Sequence, residues 1–513
     1  MDANQDGKVE GKDACTIFLN RVVTELINET STFLSNFERK STLFRLVTNC
    51  EKAYAEELHW RRTSAAVFGL HNNQDDVEKI YVKQLSKFAG AANASRILIE
   101  MALCVCSENN GNQISDIELS KLIALAALIA GMGGLSDAVH YNTLPPILTI
   151  SPLGDILFRN TFGEMVVEPT LSKAIGKKVV SEALLQKINY EEPKIGGAVR
   201  GNINSEFWDI WILEMGFNID EGRSIIEALE DKGINDKTVC FYIKQSEYLS
   251  LIKNKKITES AAKNFLNRFS LKTRSHWNKL PKGYQSKDIY PWRFGRRLSF
   301  VTRPILMINN REDPILLIAP NALRRGYIYV LDGAYTGSFE QIFFNSKEMK
   351  NTWWGKASEG HTHNASVAKE LIEKGWNVRQ NIGLPEMFNR KMDRDYGDVD
   401  ILAWRHRYRD VLIIECKDLS QARNYSEIAE LLSDYQGIIT KGKPDKLKKH
   451  LNRVELIKTN LKQVQNFTEL NDLNIVSCLV CSEVVPMQYA VIPALTGTLI
   501  GNISDILKEL KLT

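Results

Sequence analysis

The sequence predicts a multidomain α+β protein: a mostly helical amino-terminal half with small β elements, a β-containing connection, and a carboxy-terminal α/β domain with a mixed sheet flanked by helices. Three observations lead there. At 513 residues the chain exceeds what one compact core usually holds, so two or three domains are expected. From about residue 13 to 140, apolar residues recur at helical spacing with few Pro or Gly interruptions. From residue 365 onward, a helical stretch, two strand-like runs and a second helical stretch follow one another.

Taken in order, FLNRVVTELINETSTFLSNF and ASRILIEMALCVC carry the helical period of the first part. Around 144 to 170, β-rich runs flank a Pro-Leu-Gly-Asp turn, which predicts a hairpin or small sheet. Residues 171 to 275 return to mixed helical patterns, so 1–275 is read as one helical recognition or partner region. Between 289 and 345 the runs LSFVTRPILMI, DPILLIAP and YIYVLDG predict strands within a connecting region, 276–350. SKEMKNTWWGKASEGHTHN then leads into the last domain, 351–513, which opens with the helix ASVAKELIEKGW.

Composition excludes several classes. With 44% hydrophobic and 25% charged residues the chain reads as an ordinary globular protein. Its 66 Lys and Arg against 62 Asp and Glu leave a formal charge of +4, too small for an argument from the total about nucleic acid. The start, MDANQDGKVEGKDAC, has no basic end followed by an apolar run, so a cytoplasmic location is expected. The longest strongly apolar run, Leu122 to Ala130, is far short of the roughly 20 residues that cross a bilayer, so no membrane is expected as a partner. The eight Cys are scattered in apolar surroundings, as buried thiols are. Cys478 and Cys481 form a C-x-x-C inside the strand-like NIVSCLVCSEVV, without the second pair that zinc needs.

The chemistry concentrates in GDVDILAWRHRYRDVLIIECKDL. Val399 to Trp404 and Val411 to Cys416 are strand-like, and RHRYRD between them is polar enough to turn a hairpin. A hairpin centred there sets Asp400 opposite Glu415, and the alternation of side chains adds Lys417 and Asp398 to the same face. Ile401, Ala403, Leu412 and Ile414 take the other face, while Leu402 and Ile413 share the acidic one. Like charges held close repel, and desolvating them costs several kcal/mol unless something neutralises them. A divalent cation does so. Magnesium takes one or two carboxylates with several waters and leaves room for a phosphate oxygen, and manganese is the alternative. The ammonium of Lys417 can then orient a water or offset charge on a phosphorane, which makes phosphodiester hydrolysis the expected reaction.

The order of helix, G-x-x-D ending at Asp400, apolar strand and Glu415-Cys416-Lys417 resembles the PD-(D/E)xK superfamily of restriction-endonuclease-like nucleases, over roughly residues 350 to 470. The resemblance implies a restriction-endonuclease-like domain with Asp400 and Glu415 as metal ligands, Lys417 as the catalytic lysine, and a backbone carbonyl of Cys416 helping to hold the ion. It also implies a metal-dependent endonuclease acting on DNA, in restriction or antiviral defence. One departure stands out: members often carry a metal-binding Glu on the first helix, where this chain has His363 and Asn364, with Glu359 and Glu370 nearby. Glu-x-Lys alone carries little, since it recurs at Glu10, Glu38, Glu192, Glu230, Glu348 and Glu509 without a paired Asp-bearing strand.

Supporting signals are weaker. Between Ala403 and Lys462 there are 13 Lys and Arg against 8 Asp and Glu. Arg405, Arg407 and Arg409 crowd the hairpin turn, and Lys441, Lys443, Lys446, Lys448 and Lys449 precede and open the amphipathic PDKLKKHLNRVELIKTNL. That is a phosphate-binding footprint or, equally, a solvated helix face. Arg293, Arg296, Arg297 and Arg303 lie among Trp292 and Phe294, a mixture that suits base stacking but more commonly reflects buried rings beside surface arginines. Asp2, Asn4, Asp6, Gly7, Val9 and Asp13 fit a calcium loop in spacing, though acidic and Gly residues also make caps and chain ends. His361 and His363 enter the first nuclease helix, where capping or phosphate contact is the expected use. DNA is the expected partner, RNA the alternative, with a second copy or another protein recognised by the helical half. A catalytically silent nuclease fold that binds nucleic acid or serves assembly is the competing reading, and an RNase the third.

Overall fold

The computed structural model describes residues 7–70, 74–159, 161–177, 204–355, 361–406, 409–419, 421–440 and 442–511. The first part opens with β1 (Lys8–Glu10), followed by four long helices: α1 (Lys12–Leu34), α2 (Arg39–Leu70), α3 (Gln74–Val105) and α4 (Asp116–His140). Ser115 starts α4 with a capping box, its hydroxyl accepting from the Glu118 N–H while the Glu118 carboxylate accepts from the Ser115 N–H at 2.7 Å. Leu43, Leu46, Val47 and Cys50 of α2 pack with Ile97, Leu98 and Met101 of α3. Two stretches, Lys83–Val105 and Asp116–His140, are long and apolar enough to cross a membrane, yet more than half of each is buried inside the protein. The expected hairpin is present as β2 (Ile147–Ile150) and β3 (Ile156–Phe158), with β1 antiparallel on its outer edge. Val9 is therefore committed to a buried strand and Asp13 to the first turn of α1, while Asp2, Asn4 and Asp6 of the calcium-loop pattern lie outside the described residues.

The middle part contains α5 (Ser205–Met215), α6 (Ile219–Asn235), β4 (Phe241–Lys244), α7 (Gln245–Lys253), α8 (Glu259–Phe269), β5 (Ser270–Lys272), β6 (Ile305–Met307), β7 (Ile315–Ile318) and α9 (Pro320–Tyr335). Its strands form one sheet in the order β4-β7-β6-β5. That sheet spans the expected junction at 275/276, because β4 and β5 lie before it and their partners after it. YIYVLDG, expected as a strand, lies within α9. Pro320 preorganises the first turn, and Leu323, Tyr327, Val330 and Ala334 recur at helical spacing into the core while Ile328 stays exposed.

The last part runs α10 (His361–Glu373), β8 (Asn377–Gly383), α11 (Leu384–Phe388), β9 (Asp398–Trp404), β10 (Asp410–Lys417), α12 (Tyr425–Ser433), β11 (Ile439–Thr440), β12 (Lys443–Pro444), α13 (Lys446–Thr459), α14 (Leu461–Thr468), β13 (Asn474–Cys481), β14 (Thr498–Gly501) and α15 (Ile503–Glu509). Its five-stranded sheet has the order β14-β13-β10-β9-β8. β8, β9 and β10 are antiparallel neighbours, while β10, β13 and β14 run parallel, giving the mixed sheet that was expected. One face buries Ile401, Ala403, Leu412 and Ile414 against Val367, Ala368 and Leu371 of α10 and Ile503, Ile506 and Leu507 of α15. The other buries Leu402, Trp404, Val411 and Ile413 against Val454 and Ile457 of α13 and Val464 of α14. Cys478 and Cys481 fall in different cores, three positions apart on one strand and so on opposite faces, where they cannot share a metal. All eight cysteines are free thiols.

The helical part is joined tightly to the last part through α12, the helix that follows the E-x-K strand. Asp137 of α4 accepts from Trp292 Nε1 at 3.0 Å and from the Ser426 hydroxyl, while Glu430 accepts from Arg293 at 3.0 Å and from Tyr141 at 3.2 Å. Arg296 pairs with buried Glu100 of α3, Arg297 with Asp288, and Arg303 donates to backbone carbonyls of Arg297, Asn267 and Ser270. The arginines around Trp292 thus hold the interior of the protein together instead of offering a stacking surface. Gly134 makes the approach of α12 feasible, since a Cβ there would stand 2.7 Å from the Cβ of Tyr425. Gly134→Ala is expected to cost about 1–3 kcal/mol through overpacking and to lower the urea midpoint of the chain. An unchanged midpoint would show that this contact gives way freely.

Candidate active site

The antiparallel register of β9 and β10 pairs Trp404 with Val411, Ala403 with Leu412, Leu402 with Ile413 and Ile401 with Ile414. One step further along the same ladder sets Asp400 opposite Glu415. The strands separate there, and the side chain takes over the backbone's role: Asp400 Oδ2 accepts from the Cys416 N–H at 2.8 Å. Lys417 Nζ lies 2.7 Å from Glu415 Oε1. The two acids and the lysine therefore meet at the carboxyl end of β10, as the hairpin reading expected. Asp398 differs. Its carboxylate is exposed, and its backbone carbonyl accepts from Arg453 Nη1 at 2.7 Å.

Helix α13 supplies two groups that the sequence reading passed over. Asp445 caps the helix by accepting from the Lys448 N–H at 2.7 Å, and Leu447, His450, Arg453, Val454 and Ile457 face inward. Arg453 Nη2 ion-pairs with Glu415 Oε2, and His450 Nδ1 stands 3.8 Å from the same oxygen. His450 Nε2 shares a 3.0 Å hydrogen bond with Ser477 Oγ, which shares another with Thr498 Oγ1. The signal was in the sequence: His450 sits at i+3 in the apolar stripe Leu447, Val454, Ile457, a place where a polar side chain has to find a partner inside.

Burial and the facing charge of Glu415 raise Asp400 from the usual aspartate range to about 6. Burial also works against the Glu415 anion, but Lys417, Arg453 and His450 outweigh it and hold the group below the ordinary glutamate value. Lys417 is raised in return, the attraction of Glu415 and Asp400 overcoming the effect of burial. Burial takes His450 down to about 4, so its imidazole is neutral near pH 7 despite the neighbouring carboxylate.

Could these residues hold a magnesium ion? Among the described residues no group of three or more His, Cys, Asp and Glu comes together as a metal cluster. A single ion would rest on Asp400 and Glu415, with the Cys416 peptide between them and water or phosphate completing the shell, which is a donor set that suits magnesium. Asp400 Oδ1 accepts no hydrogen bond among the described residues, and burial with the facing charge of Glu415 outweighs Lys417 and Arg453 in raising its pKa. The residues fit the ion. Of the three groups considered as a further ligand, Glu359 lies outside the described residues and Glu370 is bound to Ser504 and Lys374. Asn364 is buried in the first turns of α10 with its Oδ1 unpartnered among the described residues. Beside it His363 is lowered by burial, with Asp418 and a Val480 backbone contact acting against that, so α10 begins near the end of β10. The side chain of His361 is outside the described residues.

The expected basic footprint divides in two. Arg405 lies over the Trp376 ring and Arg409 pairs with Asp472 at 2.9 Å, both at the turn end of the hairpin, about 20 Å along the strand from Glu415. Arg407 and Lys441 lie outside the described residues. Lys443 and Lys449 are exposed, Lys446 pairs with Asp434 at 2.6 Å, and Lys448 is half-buried. Lys449 precedes Arg453 by one helical turn, on the solvent side of α13.

No curated protein and no solved structure matches the chain. A family model described as anti-phage protein Upx-like does match, over residues 1–507. The match takes in the helical half and the acid site alike, and the chain belongs to the Upx-like family of anti-phage proteins.

Proposed function

We propose that this anti-phage protein acts as a magnesium-dependent nuclease that hydrolyses phosphodiester bonds, DNA being the leading substrate and RNA the alternative. The observation that carries this reading is the convergence of Asp400, Glu415 and Lys417 at one strand end, with Lys417 Nζ 2.7 Å from Glu415 and Asp400 raised to about 6. Two facing carboxylates retained at that cost are explained by a bound cation better than by stability. Asp400 and Glu415 would hold the ion, which would polarise the phosphate and acidify a water when bound. Lys417 keeps its proton and would orient the attacking water and offset charge on the phosphorane. Arg453 fixes the Glu415 carboxylate from the helix side. Exposed Lys443 and Lys449 offer charge to the phosphates flanking the scissile bond.

The competing reading, a silent nuclease fold used for binding or assembly, is favoured by one observation: Glu415 is already satisfied by two cations. A nicking assay separates the two. Wild type with magnesium or manganese should relax supercoiled plasmid or degrade RNA, and Lys417→Ala should slow this roughly 100-fold. Binding of either nucleic acid without metal-dependent cleavage would favour the silent module.

A further inference from the structure

Arg453 does something that the proposed hydrolysis does not require. Its Nη1 donates to the Asp398 carbonyl at 2.7 Å while Nη2 pairs with Glu415 Oε2, so one guanidinium bridges the start of β9 and the end of β10. The residue is only 8% exposed. Lys417 holds the other oxygen of Glu415. Asp400 and Glu415 are thus balanced by Lys417 and Arg453 within the protein itself. A divalent ion entering this arrangement would bring two positive charges to a neutral cluster and compete with a guanidinium for Oε2. A phosphodiester reverses the balance by adding negative charge and a second partner for the guanidinium, which suits bidentate phosphate recognition.

We propose that Arg453 is a resident counter-cation that keeps Glu415 occupied until nucleic-acid phosphate draws its guanidinium away, making divalent-ion uptake conditional on substrate. The inference rests on the nuclease reading of the site. It accounts for a defence enzyme that stays unloaded in the absence of a target, since binding energy from the phosphate backbone would be used to complete the site.

The test is manganese binding by calorimetry on the full chain with Lys417 intact, with and without a short DNA duplex and a matched RNA whose phosphorothioate linkages keep the charge and resist cleavage. With nucleic acid present, manganese should bind about tenfold more tightly than without it, a typical coupling between linked sites. Adding Arg453→Gln should raise manganese affinity in the nucleic-acid-free protein by a similar factor and remove most of the difference. Arg453→Lys keeps the charge and should preserve the difference, which guards against a misfolded Gln variant. Equal manganese affinity with and without nucleic acid, or weaker uptake in Arg453→Gln, overturns the role of Arg453 while leaving the metal site intact. No uptake under any condition overturns this inference and the nuclease reading together.

Discussion

Glu415→Gln is expected to abolish metal-dependent cleavage and to destabilise the free protein by about 3 kcal/mol at neutral pH. Both effects follow from the company that Glu415 keeps. Its carboxylate is 7% exposed and answers to Lys417 on one oxygen and Arg453 on the other. An amide still accepts hydrogen bonds, but it leaves a buried guanidinium without a counter-ion, and breaking a buried pair typically costs about 3–5 kcal/mol. The pH dependence has a definite sign. Because the folded-state pKa lies below the unfolded value of about 4.3, the stabilisation is complete above that pH and disappears as the pH falls through the folded value. Urea unfolding at pH 7 and near pH 3 should therefore show a wide gap between wild type and variant at the first and a narrow one at the second. A variant as stable as wild type at pH 7 would mean that Glu415 and Arg453 do not support each other as the geometry implies.

The hairpin that carries these acids was legible because its symmetry is arithmetic. A turn centred in RHRYRD fixes which residues face each other, and the observed ladder from Val411–Trp404 to Ile414–Ile401 follows that centre. The same arithmetic sends the turn arginines to the far end of the strands, so Arg405 and Arg409 could have been separated from Glu415 on the sequence alone. Other features depend on tertiary contact. Strands β4 and β5 are four and three residues long, too short for periodicity to stand out, and they exist because the partners at 305–307 and 315–318 complete their hydrogen bonding. In α9 the run Tyr327 to Leu331 has strand-like composition, but the core accepts it every third or fourth residue. Arg453 lies in a helix beyond the E-x-K strand, and no local pattern announces which carboxylate it will reach.

Asp400→Asn should behave in the opposite way to Glu415→Gln in the free protein while losing cleavage as completely. Asparagine can keep the hydrogen bond that Oδ2 accepts from the Cys416 N–H, and it removes a negative charge that faces Glu415. An acid whose folded pKa is raised to about 6 favours the fold while protonated; that advantage is lost as the pH rises from the unfolded value of about 3.9 through 6. Above pH 6 the ionised group carries the full penalty, on the order of 3 kcal/mol, which the amide does not. The variant should unfold at higher urea than wild type at pH 8 and show little advantage near pH 4. Magnesium with nucleic acid should then reverse the order, because a ligand that binds only the wild-type pair stabilises only the wild type. If Asp400→Asn were the less stable protein at pH 8, the carboxylate would be held there by its hydrogen bond to the strand and the case for a site strained in readiness for a cation would fail.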